Sequence, residues 1–206
     1  GTDRLFYAVT PRFAITSTEA QLEAIGALLA DHQDVFMQTH LDENKAEIES
    51  VAALFPDAPD YLGVYEHYGL LGSRSLFGHC IHLKPREISA MAETGSVAVF
   101  CPTSNLFLGS GLFDRAGLKA AGVRQAIATD VGGGTSYSML RTLDEAYKVL
   151  ALRGERFDPL SAYHMATLGN AEALSLSDRI GKVAPGFDAD LVVLNSCSTR
   201  EMQVRM

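Results

Sequence analysis

The amino-acid sequence predicts an α/β fold built on a parallel β-sheet. Short apolar runs alternate regularly along the chain with amphipathic helical patterns. The apolar runs are continuous, as expected of strands that are buried on both faces. Capping residues also stand at the expected ends of several helical patterns. Either a doubly wound sheet or a (βα)8 barrel satisfies this alternation.

The first βα unit shows these features clearly. A strand is predicted over "FYAVTP" (residues 6–11), followed by a helix over residues 17–32. Thr18 and Gln21 are placed for a capping box at the start of this helix. Its apolar residues recur at helical spacing and predict a buried stripe formed by Leu22, Ile25 and Leu29.

The same pattern repeats along the chain. Further strands are predicted at residues 34–39, 75–79, 96–101 and 123–129, and helices near residues 44–54, 60–70, 85–95, 113–121 and 136–152. Pro85 stands in the first turn of its helix and Gly95 at the end, positions that these residues favour. The last helix is expected to bury one face composed of Met139, Leu140, Leu143, Tyr147 and Leu150.

The composition changes after the last βα unit. Residues 158–176 predict two short helices with Asp158 as a cap. The following segment has a Gly- and Pro-rich turn and then the β-rich run Leu191–Leu194. We predict that this run is a strand of a different, smaller β domain.

Composition narrows the possible partners. The 206 residues are 47% hydrophobic and carry a formal charge of −8 without clustered Lys and Arg. This disfavours a nucleic-acid surface and favours a small neutral or cationic substrate. No apolar run approaches the ~18 residues of a membrane span, and no signal-peptide pattern begins the chain, so we expect a cytoplasmic protein. The three cysteines contain no CxxC pair and are expected to be reduced thiols.

Polar residues follow the end of every predicted strand. In chain order they are Arg12, His40 with Glu43, His79, the run at 101–105, and Asp130 with the glycines 132–134. In a parallel barrel the carboxyl ends of all strands meet at one face. We therefore expect these side chains to surround a single pocket.

Histidine and carboxylate at such positions suggest a metal site. His40, His79 and Asp130 could share a Zn²⁺ or another first-row divalent ion, with one position left open for water. Glu43 would then lie near that water as an acid or base. Simpler interpretations exist, because a histidine at a strand end is often structural and Asp130 could be a helix cap. Cys80 and Cys101 are expected to be thiols at the edge of the core.

Several motifs carry a family resemblance. "TPRF", "QTHLDEN", "GHC", "FCPTSNLFLGSGLF" and "ATDVGGGTSYSML" resemble the guanine deaminase family of the zinc-dependent amidohydrolase superfamily. The tail "GKVAPGFDADLVVL" is similar to the closing strand of the small β-sandwich in that superfamily. The strand-end His, His and Asp would also fit triazine hydrolases and adenosine-type or cytosine-type deaminases. The remaining motifs favour guanine.

The resemblance implies a fold and domain boundaries. It implies an incomplete TIM (β/α)8-type amidohydrolase barrel of about five C-terminal βα units, plus part of a small β-sandwich. Residues 1–178 would form the partial barrel, and residues 179–206 would form the C-terminal strand segment of the sandwich. The family also uses a His-x-His pair that does not occur in this sequence. We therefore expect the chain to be the C-terminal portion of a longer enzyme.

The resemblance also implies residue roles. His40 and Asp130 would bind zinc, and His79 would hold the attacking water or stand close to the metal. Glu43 would move protons to the purine, while Arg12 and Phe13 would grip guanine. The parent enzyme would deaminate guanine to xanthine and ammonia, and would be a homodimer. The alternatives are an amidohydrolase acting on other purines, pterins or triazines, or a catalytically inactive structural half.

Overall fold

Five parallel strands form one sheet in the computed structural model, which describes residues 4–195 and 197–204. The strands are β1 Ala8–Val9, β2 Phe36–Leu41, β3 Ser75–His79, β4 Val97–Phe100 and β5 Arg124–Ile127. Each strand pairs in parallel with the next strand along the chain. The predicted parallel α/β sheet is confirmed. Its order follows the chain without a reversal, which is the order of a barrel rather than of a doubly wound sheet.

Helices connect the strands and follow the last one. They are α1 Glu19–Asp31, α2 Lys45–Leu54, α3 Tyr61–His67, α4 Pro85–Thr94, α5 Pro102–Leu108, α6 Arg115–Ala120, α7 Met139–Leu152, α8 Pro159–His164, α9 Asn170–Ala173 and α10 Arg200–Val204. A 3₁₀ turn at Ala14–Thr16 follows β1, and a π-helical turn at Met165–Gly169 joins α8 to α9. Within the described part of the chain, no helix has the length and apolar character required to cross a membrane.

The helix boundaries follow from local capping chemistry. At α1, the Thr18 side chain accepts a hydrogen bond from the backbone amide of Gln21. This is one of the two hydrogen bonds of the predicted capping box. At α2, Asn44 and Glu47 form a complete capping box. Gly95 ends α4 in the left-handed conformation with φ 69°, as its position in the sequence predicts.

Helix α5 was missed by the sequence analysis. It begins at Pro102, and its first turns bury the polar side chains Thr103, Ser104 and Asn105. Its apolar residues face outward instead, and Phe107 is 71% exposed. Because hydrophobic periodicity finds helices by their buried apolar stripe, this inverted helix gives no such signal.

The predicted buried face of α7 was partly wrong. Leu143 and Leu150 are buried, but Leu140 and Tyr147 are 47% and 56% exposed. The helix buries the neighbouring stripe instead, which consists of Thr142, Leu143, Ala146, Val149 and Leu150. Both stripes have helical spacing, and packing against the rest of the fold decides between them.

The predicted C-terminal strand is not formed. Residues 191–195 are irregular, and Val193 is 94% exposed. A β-strand needs a hydrogen-bonded neighbour, and this run pairs with none of the described residues. Further along the predicted strand segment, Arg200–Val204 forms the short helix α10. The division of the chain into two domains between residues 178 and 179 stays a prediction. Residues 1–3, 196 and 205–206 of these predicted domains lie outside the described residues.

Candidate active site

A pocket of about 420 Å³ lies along the sheet and includes the carboxyl ends of its strands. This volume is typical of small-molecule sites. Four residues predicted from the sequence lie on its wall, namely Arg12, His40, His79 and Asp130. The remaining lining residues are Thr10, Gln38, Thr39, Leu76, Gly78, Val99, Cys101, Ala126, Ile127, Ala128, Asn170 and Leu174.

Strained backbone marks the same edge of the sheet. Five non-glycine residues of the described chain have positive φ, and four of them follow or end a strand. These four are Asp42 (50°), His79 (75°), Cys80 (52°) and Asp130 (46°). Each such conformation costs about 1–3 kcal/mol and persists where the surroundings impose it, commonly at functional sites. Of these four residues, His79 and Asp130 line the pocket, so there the strained backbone lets the chain leave the strand sharply while the side chain stays at the pocket.

His40 is held in one tautomer by the backbone. Its Nδ1 lies 2.6 Å from the carbonyl oxygen of Arg12. Since a carbonyl only accepts, Nδ1 carries the proton and Nε2 keeps its lone pair. A histidine that donates through one nitrogen to a carbonyl is oriented to bind a metal through the other.

His79 is buried beside His40, with ring centroids 5.0 Å apart. Burial, together with the charge that the adjacent His40 can carry, lowers the pKa of His79 to about 4. The ring is therefore neutral at pH 7. Its Nδ1 lies 3.0 Å from the side-chain nitrogen of Asn105 and 3.7 Å from Oε1 of Glu43.

Glu43 is held through both its side chain and its backbone. The hydroxyl of Ser110 donates to Glu43 Oε1 at 3.0 Å. The backbone amides of Glu43 and Asn44 both donate to Oε2 of Glu47, and the Tyr61 hydroxyl donates to Glu47 Oε1 at 2.7 Å. The carboxylate of Glu43 is thus positioned next to His79 by groups that are themselves hydrogen-bonded.

Arg12 and Phe13 form a second wall beside His40. The guanidinium of Arg12 lies over the Phe13 ring, 5.1 Å from its centroid. The Phe13 and His40 rings are 5.5 Å apart and tilted by 47°. A flat aromatic surface thus stands next to a five-donor cation, which suits a planar ligand with a carbonyl group.

Tyr65 ties three parts of this site together. Its hydroxyl donates to the carbonyl of His40 at 3.0 Å, accepts from the amide of Ala14 at 3.0 Å and lies 3.2 Å from the Thr39 hydroxyl. The side chain is fully buried, and burial raises the pKa of Tyr65 to about 12.

We expect Tyr65→Phe to lower the free energy of unfolding by about 1–3 kcal/mol, because it leaves the buried Ala14 amide without its acceptor. Urea denaturation monitored by circular dichroism measures this. Tyr137→Phe is the matched control, since Tyr137 is 87% exposed. Equal stability of the two variants would contradict a structural role for the Tyr65 hydroxyl.

The site offers histidine and carboxylate groups that could bind a metal ion. Among residues 4–195 and 197–204, no group of three His, Cys, Asp or Glu side chains could hold a metal ion. The donor types do fit zinc, because His40 offers a free Nε2 and the Asp130 carboxylate lines the same pocket. Metal binding by His40, Asp130 and His79 therefore stays a prediction.

Sequence reasoning gave no role to Gln38 and Ser110, and it placed Asn105 at the pocket only as part of the run at 101–105. Gln38 lines the pocket because it lies two residues before His40 on β2 and shares its face. Asn105 belongs to the helix that periodicity missed. Ser110 meets Glu43 across 67 residues, and no local pattern indicates that contact.

Cys80, Cys101 and His82 lie close to the site residues described above. Burial raises the pKa of Cys101 to about 12 and that of Cys80 well above its usual value, so neither is a thiolate at neutral pH. Both are buried, in agreement with core-edge thiols. His82 lies 2.9 Å from the carbonyl of Ser110 and does not line the pocket.

Parallel strands with polar side chains at their carboxyl ends are the arrangement of α/β-barrel enzymes. The chain belongs to the amidohydrolase family, whose model matches residues 1–204. It is 47% identical to the guanine deaminase of Escherichia coli over 202 residues. That match covers 98% of this chain and 46% of the E. coli protein, so the chain spans about half the length of the curated relatives that it matches.

Solved structures agree with this assignment. E. coli guanine deaminase superposes with a TM-score of 0.95 at 46% identity, over 99% of this chain and 48% of that chain. C. acetobutylicum guanine deaminase with guanine bound in its active site gives 0.79 at 27% identity, over 86% and 43%. An adenosine deaminase from Xanthomonas campestris with bound zinc gives 0.80 at 31% identity, over 89% and 42%. The barrel part of the predicted fold class is thereby confirmed.

Proposed function

We propose that this chain is part of an enzyme that hydrolyses guanine to xanthine and ammonia. The observation that carries the proposal is one pocket lined by Arg12, His40, His79 and Asp130, in a chain 47% identical to E. coli guanine deaminase. The guanine bound to the C. acetobutylicum relative supports the same substrate.

The pocket residues account for substrate binding. The Arg12 guanidinium donates to the guanine carbonyl, and the purine ring lies against Phe13. The cation–π contact between the two side chains holds both in place before guanine arrives. Preformed positions reduce the entropy lost on binding.

The remaining residues move protons. Asp130 accepts a proton from water, whose oxygen then attacks the ring carbon that bears the amino group. Glu43 delivers a proton to the adjacent ring nitrogen, and Asp130 passes the proton taken from water to the amino group. The hydroxyl proton of the intermediate returns to Glu43 as the carbon–nitrogen bond breaks, which leaves the new carbonyl and releases ammonia. His40 and Asp130 would hold a zinc ion. When bound, zinc lowers the pKa of water toward ~7 and so supplies a nucleophile at neutral pH.

The test measures guanine loss by ultraviolet absorbance, together with zinc content by mass spectrometry. One sample contains the chain alone, and another contains the chain combined with the part of E. coli guanine deaminase that lies outside the matched segment. Turnover with stoichiometric zinc in either sample supports the proposal. Absence of turnover in both, with the intact E. coli enzyme active alongside, contradicts it and favours an inactive structural half.

A different amidohydrolase substrate is the second candidate. The observation in its favour is the 31% identity to a protein described as an adenosine deaminase. A panel of guanine, adenosine, a pterin and an aminotriazine in the same assay separates the two candidates. The homodimer and the cytoplasmic location stay predictions.

A further inference from the structure

We propose that Asn105 is a positioning residue that sets the tautomer of His79, so that Nε2 of this histidine carries the proton. His79 then acts as a hydrogen-bond donor in the pocket, whereas His40 offers a lone pair. The inference deepens the proposed function, because it assigns different tasks to two adjacent histidines of the same site.

The geometry separates the two rings. His40 Nδ1 faces a carbonyl oxygen at 2.6 Å and must donate. His79 Nδ1 faces the side-chain nitrogen of Asn105 at 3.0 Å, and an amide NH₂ only donates. His79 Nδ1 must therefore accept, and the single proton of the neutral ring lies on Nε2.

Because both side chains are buried, the hydrogen bond from Asn105 to His79 Nδ1 determines the tautomer of His79. Asn105 and His79 are 1% and 2% exposed, so water does not offer an alternative partner at Nδ1. Glu43 is the other candidate, but at 3.7 Å its carboxylate oxygen is beyond hydrogen-bond range and already accepts from Ser110. Helix α5, which carries Asn105, starts directly after β4 and so fixes the amide beside the neighbouring strand end.

The opposite amide orientation is the competing arrangement. Asn105 Oδ1 is buried and has no hydrogen-bond partner among the described residues. Turning the amide over would let Oδ1 accept from His79 Nδ1–H and would free Nε2 as a metal ligand. It would also place the Asn105 NH₂ at the buried position now taken by Oδ1, which has no hydrogen-bond partner among the described residues. The two orientations predict opposite tautomers and can be told apart.

The proposed tautomer has a defined chemical use. A donor at Nε2 hydrogen-bonds the oxygen of the attacking water and then the negative charge that develops after attack. A ring with a free Nε2 lone pair cannot donate to that charge. His79 thereby stabilises the oxygen, and proton acceptance is left to Asp130.

The test is two-bond ¹H–¹⁵N spectroscopy of the full 206-residue chain labelled in its six histidines, without guanine, at neutral pH. His79→Gln and His40→Gln variants assign the two signals. We expect His79 to show a protonated Nε2 and an unprotonated Nδ1, and His40 to show the reverse. Once the signals are assigned, a protonated Nδ1 in wild-type His79 would overturn the proposal.

Two variants test Asn105 itself. Asn105→Asp replaces the donor by an acceptor and is expected to move a proton onto His79 Nδ1. Asn170→Asp is the matched control, because Asn170 also lines the pocket but bonds the backbone of Ile127. An unchanged His79 tautomer in a folded Asn105→Asp chain contradicts the proposal. These spectra need no turnover, so this inference and guanine deamination can fail independently.

Discussion

Replacing Glu43 with glutamine is expected to lower the kcat of guanine deamination by about 10²- to 10⁴-fold, the usual contribution of a positioned general acid or base. Glutamine keeps the shape of the side chain and can still accept from Ser110. It cannot carry a proton to the purine nitrogen. The loss therefore falls on kcat, and we expect KM to change little because glutamine keeps the size of the side chain and its contact with Ser110.

The measurement is steady-state kinetics on the active sample identified above. Glu49→Gln is the matched control, because Glu49 is exposed on the neighbouring helix α2. It should keep wild-type kinetics. If Glu43→Gln retained more than about a tenth of the wild-type kcat, proton transfer by Glu43 would be excluded.

Asp42→Asn is expected to stabilise the folded chain at alkaline pH. Asp42 is 1% exposed, and its Oδ2 has no hydrogen-bond partner among the described residues. Burial, together with the nearby Glu87 and Glu47 carboxylates, raises the pKa of Asp42 to about 8. Burial also raises the pKa of Glu87. Ionising Asp42 therefore places an unpaired charge in a buried acidic layer behind the pocket.

The sign of the pH dependence follows from the raised pKa. The stability associated with protonated Asp42 is fully present below its ordinary value of 3.8 and is lost as the pH rises to about 8. The asparagine variant does not titrate, so its advantage over wild type should be absent near pH 4 and complete above pH 8. The raised pKa sets an upper limit of about 6 kcal/mol, and relaxation around the charge reduces the expected gain to about 2 kcal/mol.

Urea denaturation at several pH values between 4 and 9 measures this difference. Asparagine also tolerates the left-handed backbone of residue 42 at φ 50°, so the substitution adds little strain. Asp57→Asn on an exposed loop is the control and should show no gain that grows with pH. A constant difference between Asp42→Asn and wild type across this range would contradict the assignment of the buried charge to Asp42.

The sequence was most informative about the sheet. Continuous apolar runs found all five strands, and "SLFGH" coincided with β3 from Ser75 to His79. Strand boundaries were less accurate, since β2 ends at Leu41 rather than at residue 39 and so carries His40 within it. Apolar runs mark where a strand is buried, but pairing with β3 decides where it ends.

The candidate site divides in the same way. Arg12, His40, His79 and Asp130 could be selected because polar residues at the ends of parallel strands must meet. The contacts that hold them could not be predicted, although Asn105 belongs to the run expected at the pocket. Asn105 contacts His79 from a helix without an apolar stripe, and Ser110 contacts Glu43 from the loop after that helix. Such contacts depend on how helix α5 packs against the sheet, and this packing cannot be predicted from the local sequence.

The sequence by itself determined the parallel α/β architecture, the amidohydrolase resemblance and the residues that meet at the strand ends. The tertiary structure alone decided which stripe of α7 is buried, that residues 191–195 form no strand among the described partners, and which groups face Nδ1 of His40 and of His79. Hydrophobic periodicity is a property of residues that are close in sequence, so it can be recognised from the sequence alone. Burial, strand pairing and proton placement depend on groups distant in sequence, and only the fold brings these together.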